Sequence, residues 1–157
     1  MRLFAVMTGA VLLLTACGGS SSTLSPADNI TIDCSTAAQS IADYSVSFRD
    51  MVNGLEANDP ALAGPAAVQF GLSARAIVDQ LPGLPQEAQG FVAVSQRFSE
   101  RVRDVISGNG DLPPLAAEAE TQFGDQAFVD SVDVVEGFFS ANCPTTIIPT
   151  PSPTPQQ

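Results

Sequence analysis

A chain of 157 residues and 16.2 kDa has room for one domain and excludes a two-domain enzyme. With 6 Lys+Arg, all of them Arg, against 17 Asp+Glu and no His, the formal charge of −11 excludes the basic footprint that nucleic acid requires. A hydrophobic fraction of 45% excludes a wholly disordered chain, and the absence of His and Lys removes Ser-His-Asp and Cys-His nucleophiles, Schiff-base amines and His-ligated metal centres.

The first segment reads as an address. Arg2 is followed by an apolar stretch, Leu3 to Ala16, interrupted by Thr8, Gly9 and Thr15. Its length, about 14 residues, falls short of the ~20 needed to span a bilayer and suits the apolar region of a signal peptide. The stretch ends in Leu14-Thr15-Ala16-Cys17, with Gly18 next, and here the sequence resembles the lipobox of bacterial lipoproteins. The resemblance covers the N-terminal segment alone. It implies a signal peptide over 1–16, cleavage before Cys17, a diacylglyceryl group on the Cys17 sulfur and an acylated new amino terminus. The alternative is an ordinary cleaved signal or an uncleaved anchor in which Cys17 has no special role. Several acyl chains at about 0.8 kcal/mol per buried methylene hold a protein on a membrane where one chain is marginal. The acidic body repels an anionic lipid surface, so the attachment to the membrane rests on the lipid.

Residues 17–33, with Gly18-Gly19-Ser20-Ser21-Ser22, Thr23, Ser25 and Pro26, have the composition of a flexible tether. At the other end, residues 144–157 contain Pro149, Pro151, Pro153 and Pro155 alternating with Thr and Ser, which predicts a disordered, polyproline-like tail. Between them, 34–143 is the expected folded domain.

Four helices are predicted there. The first runs from Thr36 to about Ala57, opened by a capping box of Thr36 and Gln39, with Ile41, Tyr44, Phe48, Met51, Val52 and Leu55 as its apolar stripe. Asn58-Asp59-Pro60 caps the second, which Pro65 is expected to delay by a turn; Ala63, Phe70, Ala74, Ile77 and Leu81 share its inner face, and Pro82-Gly83-Leu84-Pro85 ends it. The third, Pro85 to about Ser107, buries Phe91, Ser95, Phe98, Val102, Val105 and Ile106. On its other side it carries Arg97, Glu100, Arg101 and Asp104, a self-neutralising surface ladder. Gly108-Asn109-Gly110-Asp111 and Pro113-Pro114 separate it from a fourth, Pro114 to about Ala141, with two apolar stripes. One is Ala116, Ala119, Phe123, Ala127, Val134 and Phe138; the other is Phe128, Val132, Val135 and Phe139.

Three short connections predict an all-α, antiparallel four-helix up-down bundle, in which the start of the first helix and the end of the fourth share one end. Cys34 and Cys143 stand at those places. With Cys17 taken by lipid, the two remaining thiols predict one disulfide in an oxidising compartment. Asp130, Asp133 and Glu136 share a polar face, which reads as a solvated acidic stripe. No metal site, cofactor or catalytic group is expected. The second stripe, Phe128, Val132, Val135 and Phe139, is either bundle packing or a contact surface for an unknown protein or an apolar small molecule. The sequence thus points to a lipid-anchored, extracytoplasmic protein of the cell membrane or outer membrane whose helical head is an interaction module; the alternative is a carrier holding an apolar ligand between its helices.

Overall fold

The computed structural model of the protein describes residues 31–149; the leader, Cys17, most of the tether and residues 150–157 lie outside the described residues. The described chain is all-α and contains five long helices, which corrects the expected four. They are α1 (Cys34–Glu56), α2 (Pro60–Gln80), α3 (Gln89–Ser107), α4 (Pro113–Phe123) and α5 (Gln126–Asn142), with one turn of 3-10 helix, Gln86–Ala88, leading into α3.

The start of α1 differs from the capping box. Asp33 is the cap: its carboxylate accepts the backbone N–H groups of Ser35 and Thr36 and both of their hydroxyls, at 2.8 to 3.1 Å. Thr36 lies inside the helix, and the Gln39 side chain donates forward to Asp43. One charged oxygen pair satisfies four donors where a threonine hydroxyl satisfies one, so the acid takes the position. At α2 the cap and the proline at its first residue stand as read, with Asp59 accepting from Ala61 and Leu62. Pro65 does not delay the helix. The hydrogen bond it forfeits reaches back only to the first turn, and α2 passes through it unbroken. Gly83 supplies the positive φ, +87°, that turns the chain after α2.

The fourth predicted helix is broken at Gly124-Asp125. Gly124 ends α4, Asp125 is extended at ψ 136°, and its carboxylate accepts from Ala127 N–H to start α5. A physical demand lies behind the break. Residues 123 and 128 are five apart, about 140° around a straight helix, so one helix cannot aim both phenylalanines inward. The turn lets the two rings meet edge to face at 5.0 Å. The break divides the first stripe between two helices and leaves its Val134 and Phe138 half-buried on α5 beside the second. Ala116, Ala119 and Phe123 serve α4, while Phe128, Val132, Val135 and Phe139 serve α5; Ala127, assigned to the first stripe, is exposed.

Helices α1, α2 and α3 alternate in direction, with α2 between the other two. The α4–α5 leg descends beside them, α4 against α1 and α3, and α5 against α3. The core has two halves. Met51, Leu55, Phe70, Phe98, Val102 and Leu115 fill the half at the α1–α2 turn; Ala38, Ile77, Leu81, Phe91, Val135 and Phe139 fill the half near the cysteines. Tyr44 and Phe123 pack against both. Phe123 meets Phe48, Phe70, Phe98 and Phe128 edge to face, with centroids 5.0 to 5.5 Å apart.

Two outcomes follow. Truncation of the shared ring, Phe123→Ala, is expected to cost about 3 kcal/mol, the low end for a phenylalanine because the ring is half-buried, as measured by urea unfolding. The second concerns the α1 cap. The hydrogen bonds on Asp33, led by the Ser35 hydroxyl, lower its carboxyl pKa from 3.8 to about 2. A lowered folded pKa stabilises above pH 3.8 and loses that contribution as pH falls toward 2. Asp33→Asn is expected to flatten the fall in Tm between those two pH values, read by thermal melts of both proteins.

Candidate functional site

The cysteine end is the first candidate. Helix α1 places Cys34 at its first residue, and α5 ends in Cys143, whose N–H closes on the Phe139 carbonyl. The two are disulfide-bonded with Cα atoms 5.6 Å apart across a sequence separation of 109. Ile32 before the bond and Ile148 after it are half-buried against the adjoining core. A turn at Pro144-Thr145, closed by Thr146 N–H on the Cys143 carbonyl, leads the chain to Ile148. Ile148 packs on that apolar surface, while its neighbour Ile147 stays exposed.

The second stripe of α5 sits inside the fold. Phe128, Val135 and Phe139 are buried and Val132 is half-buried, all packed in the core half near the disulfide. The exposed contact surface offered as one reading of these four is corrected accordingly: their apolar area is spent on neighbouring helices. Asp130, Asp133 and Glu136 lie exposed on the opposite face of α5. The ladder expected on α3 is exposed too, and none of its members forms an ion pair; among the described residues the ion pairs are Arg49–Asp50 and Arg75–Asp79.

Tyr44 is half-buried and packs against both halves of the core. Its hydroxyl is 3.0 Å from the Ser95 hydroxyl, which donates to the Phe91 carbonyl at 2.8 Å. Burial pushes the phenol well above its ordinary range despite that bond, so it stays neutral. Among the described residues no three Cys, Asp or Glu side chains converge on a point that would hold a metal ion.

Two surface depressions stand out among the described residues. A groove of about 490 Å³ runs between α1 and α2, with Asp43, Val46, Ser47 and Asp50 on one wall and Leu62 and Pro65 on the other. A second, about 350 Å³, lies where α3 passes the α4–α5 break, beside Val94, Gln122 and Phe128. Both are open to solvent, whereas a carrier of an apolar molecule needs an enclosed cavity. The α1–α2 groove escaped the sequence reading. Its signal was present in α2, which has no charge from Pro60 to Ala74 and is long and apolar enough to cross a membrane, yet keeps Leu62, Val68 and Leu72 at 42%, 40% and 60% exposure.

No protein-family model, no curated protein and no solved structure matches this chain.

The disulfide closes most of the domain into one loop. Cys34→Ser with Cys143→Ser is expected to lower unfolding stability by up to ~4 to 5 kcal/mol, the chain-entropy value for a loop of this size. Reductant added to the wild-type protein is expected to produce the same loss in the same urea titration.

Proposed function

We propose that this chain is a bacterial envelope lipoprotein, acylated on Cys17, whose helical head is a non-enzymatic binding module displayed on the extracytoplasmic side of the cell membrane or outer membrane. Leu14-Thr15-Ala16-Cys17 after an apolar leader carries this reading. The Cys34–Cys143 disulfide supports it, because such bonds persist in oxidising compartments outside the cytoplasm. Geometry adds a second support: Asp33 and Pro144 flank the bonded cysteines, so both chain ends leave the head from one pole. A tether of some sixteen residues has a root-mean-square reach of ~22 Å, enough to hold an acidic head clear of anionic headgroups. A binding role fits a head whose core is filled by aromatic packing and whose concave features are open grooves.

Mass spectrometry of the native protein tests the anchor. The expected spectrum lacks residues 1–16 and shows Cys17 heavier by a diacylglyceryl group or more. Cys17→Ser is expected to move the protein from the membrane to the soluble fraction. An intact leader, or an unmodified Cys17 on a membrane-bound protein, overturns the reading.

A further inference from the structure

The groove between α1 and α2 is not needed for lipid attachment, and its walls differ in chemistry. We propose that it receives an amphipathic helix from a protein partner, one that carries two cationic side chains two turns apart beside an apolar stripe. This rests on the reading of the head as a binding module and names the class of partner. Asp43 and Asp50 are seven residues apart on α1, so they lie on one ridge about 10.5 Å apart along the axis, with Val46 and Ser47 between them. The facing wall is uncharged, with Leu62 at 42% exposure beside Pro65 and Ala66.

Both carboxylates are half-exposed, and their hydrogen bonds fall on one oxygen. Gln39 donates to Oδ1 of Asp43, and Arg49 donates twice to Oδ1 of Asp50. Asp43 therefore meets an incoming cation with only a neutral partner on it, whereas at Asp50 the cation shares the carboxylate with Arg49. A helix laid along the groove sets its apolar stripe on Leu62 and Pro65 and its two cations on the acidic ridge, matching charge to charge and area to area.

Two other occupants fit less well. A bilayer is flat and its headgroups are often anionic, whereas this site is concave, acid-rimmed and begins 9 residues along α1 from the bonded Cys34, about 13 Å from the pole where the chain ends leave. A second copy brings the same acids. Its Arg97 and Arg101 are interleaved with Glu100 and Asp104 and offer no clean cationic pair.

The test uses the full chain carrying Cys17→Ser, which bears no lipid, titrated with a synthetic Leu/Lys amphipathic helix and its Leu/Glu counterpart. The Leu/Lys peptide is expected to bind and the Leu/Glu peptide is not. Asp43→Asn with Asp50→Asn is expected to weaken binding about five- to tenfold, as two half-exposed ion pairs would. Leu62→Gln is expected to weaken it about threefold or more. Asp130→Asn with Asp133→Asn on α5 is expected to change it less than about twofold. Unchanged affinity in the groove variants, equal loss in the α5 variant, or no binding up to about 1 mM peptide overturns the proposal. Flotation with phosphatidylcholine vesicles, or dimerisation in light scattering, that Leu62→Gln abolishes overturns it in favour of lipid or a second copy. Because the lipid is removed, failure here leaves the anchor intact, and failure of the anchor leaves this result standing.

Discussion

The packing of Phe123 against Phe128 is the constraint on which the rest of the structure depends. Five residues separate the two rings, and a straight helix would turn one of them toward solvent. An exposed phenylalanine forfeits about 2 to 3 kcal/mol of burial, which offsets backbone hydrogen bonds lost at about 0.5 to 1.5 kcal/mol each when a helix is interrupted and recapped. Gly124 and Asp125 reduce even that cost, the glycine as a helix end and the aspartate as a new cap. The break then fixes the architecture. It lets α4 fill the half of the core at the α1–α2 turn and α5 fill the half near the disulfide, with Phe123 between four other rings.

Close approach elsewhere rests on small residues. At Gly54 an added Cβ would come within 2.5 Å of the Ala63 backbone nitrogen, so α1 and α2 pack nearly backbone to backbone. Ser99 on α3 donates to the Ala67 carbonyl at 2.7 Å and sits against Gly71, which brings α3 close to α2. Buried serines need partners in such a core. Ser40, Ser47, Ser95 and Ser131 return their hydroxyls to carbonyls of their own helices, and Ser73 accepts from Gln69. Among the described residues no buried side-chain polar atom lacks a partner.

These features explain which parts of the fold could be read from residues and which could not. Large apolar side chains at helical spacing gave the inner faces of α2 and α3 correctly, because Phe70, Ile77, Phe91, Phe98 and Val102 declare their phase. The pairing of Cys34 with Cys143 followed from the alternation of helix directions, which survives the break because α5 continues the descent begun by α4. Two kinds of information were hidden. Ala, Ser and Gly bury as fully as Leu in α1, yet periodicity of large residues is blind to them, so the face containing Ala38, Ala42, Ser47 and Gly54 went unnoticed. The phase jump between the stripes of the last leg is visible in the sequence, where it reads as two stripes on a single helix. Phe123 and Phe128 in conflict around one axis, with Gly-Asp between them, was the mark of two helices.

The groove was hidden for a related reason. Periodicity identifies what a helix buries, and α2 has apolar residues outside its inner face as well, among them Leu62, Val68 and Leu72. Only the placement of α1 and α3 shows which of those residues the fold leaves uncovered. Once α2 is wedged between them by Gly54, Ala67 and Gly71, Leu62 is turned outward and the Asp43–Asp50 ridge of α1 becomes its neighbour. The same small residues that let three helices pack closely therefore set an uncharged wall beside an acidic one. The disulfide holds the chain ends at the pole away from the α1–α2 turn. The groove needs no moving part: helix packing places its two walls, and the bond holds the two ends of the described chain together.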